Sequence, residues 1–82
     1  MGNKPSTVWQ RVATERYNAI ADGKAGIAHF LNVLLLYLEK KATAEQILLE
    51  RDRLLVDMPR SVFENILYRL QLAKKIENTL LS

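Results

Sequence analysis

One segment of the chain, residues 27–38, is apolar at almost every position and reads IAHFLNVLLLYL. A helix on the surface of a globular protein normally has a single apolar stripe, with apolar residues three and four positions apart. In this segment the apolar side chains point in all directions around the helix axis, so the helix has to be buried from several sides. The pattern predicts that a second copy of the chain, or another protein, covers what the neighbouring helices leave open.

Apolar residues spaced three and four positions apart also predict the other helices of the chain. The predicted helices lie at residues 8–21, 25–41, 44–56 and 62–80, after a flexible N-terminal segment at residues 1–6. No alternating run of β-branched residues predicts a strand. Whether the second and third helices are continuous stays open, because any turn between them is very short.

Three capping-box patterns predict helix N-termini. In this pattern a Ser or Thr side chain accepts a hydrogen bond from the amide three residues later, and a Glu or Gln at that position bonds back. The three pairs are Thr7 with Gln10, Thr43 with Gln46, and Ser61 with Glu64. Pro59 gives the strongest stop signal, because proline lacks an amide donor and pushes the preceding residue out of helical geometry.

The composition is that of a small folded protein, with 82 residues, of which 49% are hydrophobic and 26% are charged. A chain of this size is close to the lower limit for a self-sufficient core. The sequence therefore predicts a single all-α domain, a small bundle of three or four helices that is completed by homodimerisation. The lack of cysteine excludes disulfides and favours a cytoplasmic location. The apolar segment is also shorter than the roughly 20 residues that cross a membrane.

The sequence contains no residue pattern typical of an enzyme active site. The chain has one histidine, no cysteine, no glycine-rich phosphate loop and no paired carboxylates in an apolar setting. We therefore predict a protein that is not an enzyme and has no cofactor or metal site. We interpret His29 as a partly buried core or interface residue, and Asn32 as a polar residue that fixes helix register or oligomer order.

The leading functional hypothesis is a small adaptor or regulatory protein that acts through protein–protein contact and self-association. Its partner is then a second copy of the chain, in a dimer, or another protein. The predicted apolar interface consists of Phe30, Leu34, Tyr37, Leu38, Phe63 and Leu67. Trp9 and Tyr17 are two further candidate anchors.

Binding of a helical dimer to duplex DNA or RNA is the alternative hypothesis. The net charge of +3 comes from twelve Lys and Arg residues spread among nine acids. This charge is compatible with a modest attraction to phosphates but does not by itself indicate nucleic-acid binding. The helix after Pro59 would enter a DNA groove, or a helical pair would lay basic side chains across RNA. The candidate contacts are Arg11, Arg16, Arg60, Arg69, Lys74 and Lys75.

A third hypothesis is association with a membrane. The first residues, MGNKPS, fit the pattern in which Gly2 is myristoylated. Residues 37–55 read YLEKKATAEQILLERDRLL and resemble the first helix of FCH/F-BAR membrane-bending domains. The resemblance rests on Tyr37, Leu38, Lys41, Ala42, Glu45 and Leu48. It implies a dimeric helical module that associates with membranes.

Overall fold

The computed structural model describes residues 7–82, so the predicted flexible segment and Gly2 lie outside the described residues. Residues 7–82 contain helices and no strand, which confirms the predicted all-α class. There are five helices in this range: α1 (Thr7–Ala21), α2 (Ala25–Leu38), α3 (Ala44–Asp57), α4 (Arg60–Leu70) and α5 (Lys74–Leu81). None of these helices has the length and apolar content needed to span a membrane.

The turn between α1 and α2 closes at Gly23. This residue has a positive φ of 72°, which glycine adopts without steric cost. The amide of Gly23 donates to the carbonyl of Ile20 at 3.1 Å, and the amide of Lys24 donates to the carbonyl of Ala19 at 2.8 Å. These two bonds form a Schellman motif, which satisfies the last carbonyls of α1 and reverses the chain.

The second helix ends at Leu38, before its predicted end at residue 41. Lys40 has a positive φ of 64°, and the amide of Lys41 donates to the carbonyl of Leu36 at 2.7 Å. This is a second Schellman-type end, so α2 and α3 are separate helices. The prediction was wrong here because a lysine holds the left-handed position, where the usual sequence signal is a glycine.

The predicted capping box at the start of α3 is confirmed. The amide of Gln46 donates to Thr43 Oγ1 at 3.1 Å, and the amide of Thr43 donates to Gln46 Oε1 at 2.8 Å. This reciprocal pair satisfies backbone groups that the first turn of a helix leaves without partners. The boundary of α3 is therefore fixed by two side chains that the sequence pattern identifies.

The capping box predicted at Ser61 was wrong. The α4 helix begins at Arg60, its cap residue is Pro59, and no side chain caps it. Proline suits this entrance because its fixed φ is already compatible with the start of a helix. Thr7 also differs from its predicted role, since it is a helical residue of α1.

The long helix predicted at residues 62–80 is broken into α4 and α5. Gln71 ends α4 in the left-handed region, with φ of 51°. Leu72 in the break is buried, and α5 then brings Leu80 into the same core. Burying a leucine contributes roughly 2 kcal/mol, so two buried leucines outweigh the cost of one left-handed glutamine.

The core is built around α2, which packs between α1 and α3. Phe30 and Phe63 meet edge to face, with ring centroids 5.4 Å apart, and this contact places α4 against α2. The buried residues of α2 are Ala28, Phe30, Leu31, Leu34 and Leu35. The chain's own helices therefore cover most of the apolar surface of α2, and only its outer side is left for another chain to cover.

Candidate functional site

Most residues of the predicted apolar interface lie in the core of the single chain. Those with at most 1% of their surface exposed are Phe30, Leu34, Phe63 and Leu67. Tyr37 and Leu38 are partly buried and pack against the same core. This corrects the prediction for the four buried residues, because a side chain without accessible surface offers nothing to a partner, and for Tyr37 and Leu38 it stays a prediction. The spacing of apolar residues along a helix is the same for core and interface positions, so the sequence could not separate them.

The two candidate anchors on α1 have different surroundings. Trp9 is partly buried, and its indole N–H donates to Glu39 Oε2 at 2.8 Å. This bond joins the start of α1 to the end of α2, as expected for antiparallel neighbours. Tyr17 is 70% exposed. Of the two, only Tyr17 presents most of its ring to solvent, where a partner would meet it.

The basic residues predicted to contact nucleic acid are largely engaged within the chain. Arg69 pairs with Glu15 at 3.5 Å, and Lys74 pairs with Glu77 at 3.7 Å. Lys75 is exposed at the start of α5. The structure therefore does not bring the predicted contacts together as one surface of uncommitted cations.

Three arginines bond to the C-terminal carbonyls of α4 and α5. Arg11 Nε donates to the carbonyl of Leu70 at 2.8 Å, and Arg51 Nη1 donates to the carbonyl of Leu80 at 3.0 Å. Arg60 donates to the next carbonyl along α5. The last carbonyls of a helix lack partners in the helix and form the negative end of its dipole, so they favour a cation. Arg11 and Arg60 thus have structural roles. No sequence pattern pointed to Arg51, whose partner is distant along the chain.

None of the mostly exposed residues of α1 is charged. Its charged residues are Arg11, Glu15 and Arg16, and each bonds to a neighbouring part of the fold. Charged residues normally dominate the exposed side of a surface helix. The exposed residues of α1 are Thr7, Gln10, Thr14, Tyr17, Asn18, Ile20 and Ala21.

The exposed surface of α2 continues the uncharged surface of α1. Arg16 Nη1 donates to Asn32 Oδ1 at 3.3 Å across the seam between the helices. Ile20 lies one turn from Arg16 on α1, and Leu36 lies one turn from Asn32 on α2, so both apolar side chains flank this seam. The exposed residues of α2 are Ala25, Gly26, His29, Asn32 and Leu36, without Asp, Glu, Lys or Arg. We define the α1/α2 outer face as the exposed residues Tyr17, Ile20, Asn32 and Leu36.

The remaining helices expose charged side chains. Leu49 and Val56 on α3 are 52% and 79% exposed, but charged residues lie between and beside them along the helix. We define the α3–α5 surface by the exposed charged residues of these helices. They are Glu45, Asp52, Arg53, Asp57, Arg60, Glu64, Arg69, Lys74 and Lys75.

A cleft of about 380 Å³ lies between α2 and α3. On its rim the Glu50 carboxylate meets His29 Nε2 at 3.2 Å and Arg53 Nη1 at 3.4 Å. The His29 side chain is 59% exposed, so the prediction of a core position was wrong, whereas a place in an interface stays a prediction. The lining contains no hydroxyl or thiol group. Within residues 7–82 no group of three or more His, Cys, Asp or Glu residues could hold a metal ion.

No family model, curated protein or solved structure matches this chain. The resemblance of residues 37–55 to the first helix of FCH/F-BAR domains therefore stays a prediction. In this structure those residues are divided between the end of α2, a turn and most of α3.

Proposed function

We propose that this protein is a non-enzymatic helical module of the adaptor or regulatory type, acting through protein–protein contact at the α1/α2 outer face. The observation that carries the proposal is the absence of Asp, Glu, Lys and Arg from the exposed residues of α1 and α2. The chain as a whole has 26% charged residues, so its charges are distributed unevenly over its surface. Self-association, which the sequence predicts, is one form of such contact.

Depletion of charge and exposure of tyrosine distinguish the centre of a protein interface from ordinary surface. On the α1/α2 outer face Tyr17 is 70% exposed and Ile20 is 58% exposed. Tyr68 on α4 is 77% exposed, so the lack of exposed charged residues, rather than the exposed tyrosine, distinguishes the α1/α2 outer face. Covering a large apolar side chain contributes roughly 1.5 to 3 kcal/mol, and the one charged residue on the seam of this face, Arg16, is already partly buried. Contact with another protein is therefore favoured at this face over contact with the α3–α5 surface.

Site-specific photo-crosslinking in cells that express the chain would test the proposal. A photoreactive phenylalanine analogue replaces Tyr17 in one version and Val56 in the other, because Val56 is 79% exposed on α3. We expect protein adducts from position 17 and few or none from position 56. The mass of each adduct separates a second copy of the chain from a different protein. Equal adduct yields from both positions, or none from position 17, would contradict the proposal.

A further inference from the structure

We infer that the partner on the α1/α2 outer face is a second copy of this chain, bound in a two-fold symmetric dimer. The inference rests on the proposed function, since it identifies the partner of the same surface. In this dimer the α1–α2 hairpin of one copy packs against the same hairpin of the other. The four helices then form one layered unit, and the α3–α5 surface of each copy stays in solvent.

The charge distribution favours a second copy. A two-fold interface brings a surface patch against itself, so a charged residue near the axis meets an identical charge. Like charges held close together in a poorly solvated contact cost several kcal/mol. The mostly exposed residues of the α1/α2 outer face are uncharged, and Arg16, the charged residue on its seam, is partly buried and bonds to Asn32 of its own copy. Two copies can therefore approach without repulsion between mostly exposed charges, and the partly buried Arg16 is the one charged residue on the seam.

The polar groups of the face also suit self-pairing. Tyr17 carries a hydroxyl that both donates and accepts, and Asn32 has amide N–H groups in addition to the oxygen that Arg16 occupies. In a two-fold arrangement each copy supplies both residues, so donors and acceptors are available on each side of the contact. Water-mediated bonds would serve the same purpose at the edge of the contact.

The size of the face sets the expected strength of the dimer. Two helices about 22 Å long, with axes about 10 Å apart, present roughly 440 Å² on each copy. The total of about 900 Å² is below the range of roughly 1,200 to 2,000 Å² that is typical of stable interfaces. We therefore expect a dissociation constant in the micromolar range or weaker, so that the association state depends on protein concentration.

Sedimentation equilibrium of the purified chain over micromolar to millimolar concentrations tests the inference. We expect a monomer–dimer equilibrium that Ile20→Arg or Tyr17→Arg weakens by at least about tenfold, because each substitution places identical charges across the two-fold contact. Val56→Arg is the matched control and should leave the constant within about twofold. Circular dichroism should give the same helix content for all four proteins, since the three substituted side chains are exposed.

A wild-type chain that stays monomeric at every concentration overturns the dimer. So does a dimer that Val56→Arg weakens as much as Ile20→Arg. The photo-crosslinking result then separates this failure from that of the proposed function. Adducts of position 17 with a different protein would support the α1/α2 outer face as the contact surface and contradict a second copy as the partner. The absence of any adduct would contradict both the contact surface and the dimer.

Discussion

The α1/α2 outer face and the α3–α5 surface expose large apolar side chains to similar degrees. Ile20 is 58% exposed on the first and Leu49 is 52% exposed on the second. They differ in what surrounds these side chains, because Leu49 lies among exposed charged residues of α3, whereas the charged residue one turn from Ile20 on α1, Arg16, is partly buried. An isolated exposed apolar residue is ordinary in folded proteins. The absence of charge, rather than the exposure of apolar groups, therefore distinguishes a candidate contact surface in this fold.

The charged side chains of α1 bond to neighbouring helices, and for this reason they are not among its mostly exposed residues. Arg11 bonds to the end of α4, Glu15 pairs with Arg69, and Arg16 bonds to Asn32 on α2. These side chains hold neighbouring helices together. The same residues that lower the charge of the outer surface therefore stabilise the fold beneath it.

The largest expected difference is between substitutions on the inner and outer sides of α2, in the free energy of unfolding that each one removes. Leu34 has 0% exposure and Leu36 has 36%. We expect Leu34→Ala to lower the free energy of unfolding by about 3 kcal/mol, because it leaves a cavity in the core. Leu36→Ala should cost less than about 1 kcal/mol in the monomer. Urea denaturation at low protein concentration measures both values, and equal losses would contradict the assignment of two sides to α2.

Substitution of a partly buried, hydrogen-bonded arginine of α3 should lower the free energy of unfolding more than substitution of an exposed one, although the difference is smaller than that between Leu34 and Leu36. The Arg51 side chain is 13% exposed and bonds to the end of α5, whereas that of Arg53 is 68% exposed. We expect Arg51→Ala to lower the free energy of unfolding by about 2 kcal/mol, since it leaves carbonyls of α5 without a donor. Arg53→Ala should change it by no more than about 0.5 kcal/mol.

Denaturation of the two arginine variants under identical conditions provides the measurement. Amide hydrogen exchange adds a local readout, because faster exchange in α5 alone is expected for Arg51→Ala. If Arg51→Ala were as stable as Arg53→Ala, the bonds between Arg51 and the end of α5 would not contribute to stability.

Changes of opposite sign are expected at two glycines of the α1–α2 hairpin. Gly23 has a positive φ, so Gly23→Ala should lower the free energy of unfolding by about 1 kcal/mol. Gly26 is helical, and an added Cβ would lie 3.7 Å from Leu54 Cδ1, an ordinary contact. Gly26→Ala should therefore raise the free energy of unfolding by about 0.5 kcal/mol. Thermal denaturation of the pair checks the signs, and two shifts in the same direction would contradict the hairpin geometry.

Added salt should have the weakest effect on association through the α1/α2 outer face. Salt screens interactions between exposed charges, but none of the mostly exposed residues of this face carries a formal charge. We expect the dimer dissociation constant to change by less than about twofold when the salt concentration rises about tenfold. A large weakening with added salt, measured by sedimentation equilibrium, would point instead to association through the α3–α5 surface.

The sequence predicted the helical class, the positions of α1 and α3, and the cap formed by Thr43 and Gln46. It did not predict the ends of α2 and α4, because Lys40 and Gln71 occupy left-handed positions that sequence patterns associate with glycine. The end of α4 is accompanied by a tertiary contact, the burial of Leu72 beyond Gln71. Local sequence carries no record of such contacts.

The candidate site was less predictable than the fold. Tyr17 was identified as a candidate anchor, whereas Ile20 and Leu36 were not assigned to an interface. Their exposure becomes visible only when the packing of α1 against α2 decides which residues face inward. The structural role of Arg11 was hidden for a similar reason, since its partner Leu70 lies near the other end of the chain.

If the proposed dimer forms, the α1/α2 outer face becomes covered while the α3–α5 surface stays in solvent. Amide proton relaxation by a water-soluble gadolinium chelate measures solvent access at each residue directly. On raising the protein concentration from low micromolar to near millimolar, we predict that relaxation decreases at Tyr17, Ile20 and Leu36 and stays constant at Leu49 and Val56. Unchanged relaxation on the α1/α2 outer face, or a decrease confined to α3, would contradict the dimer and the surface assigned to it.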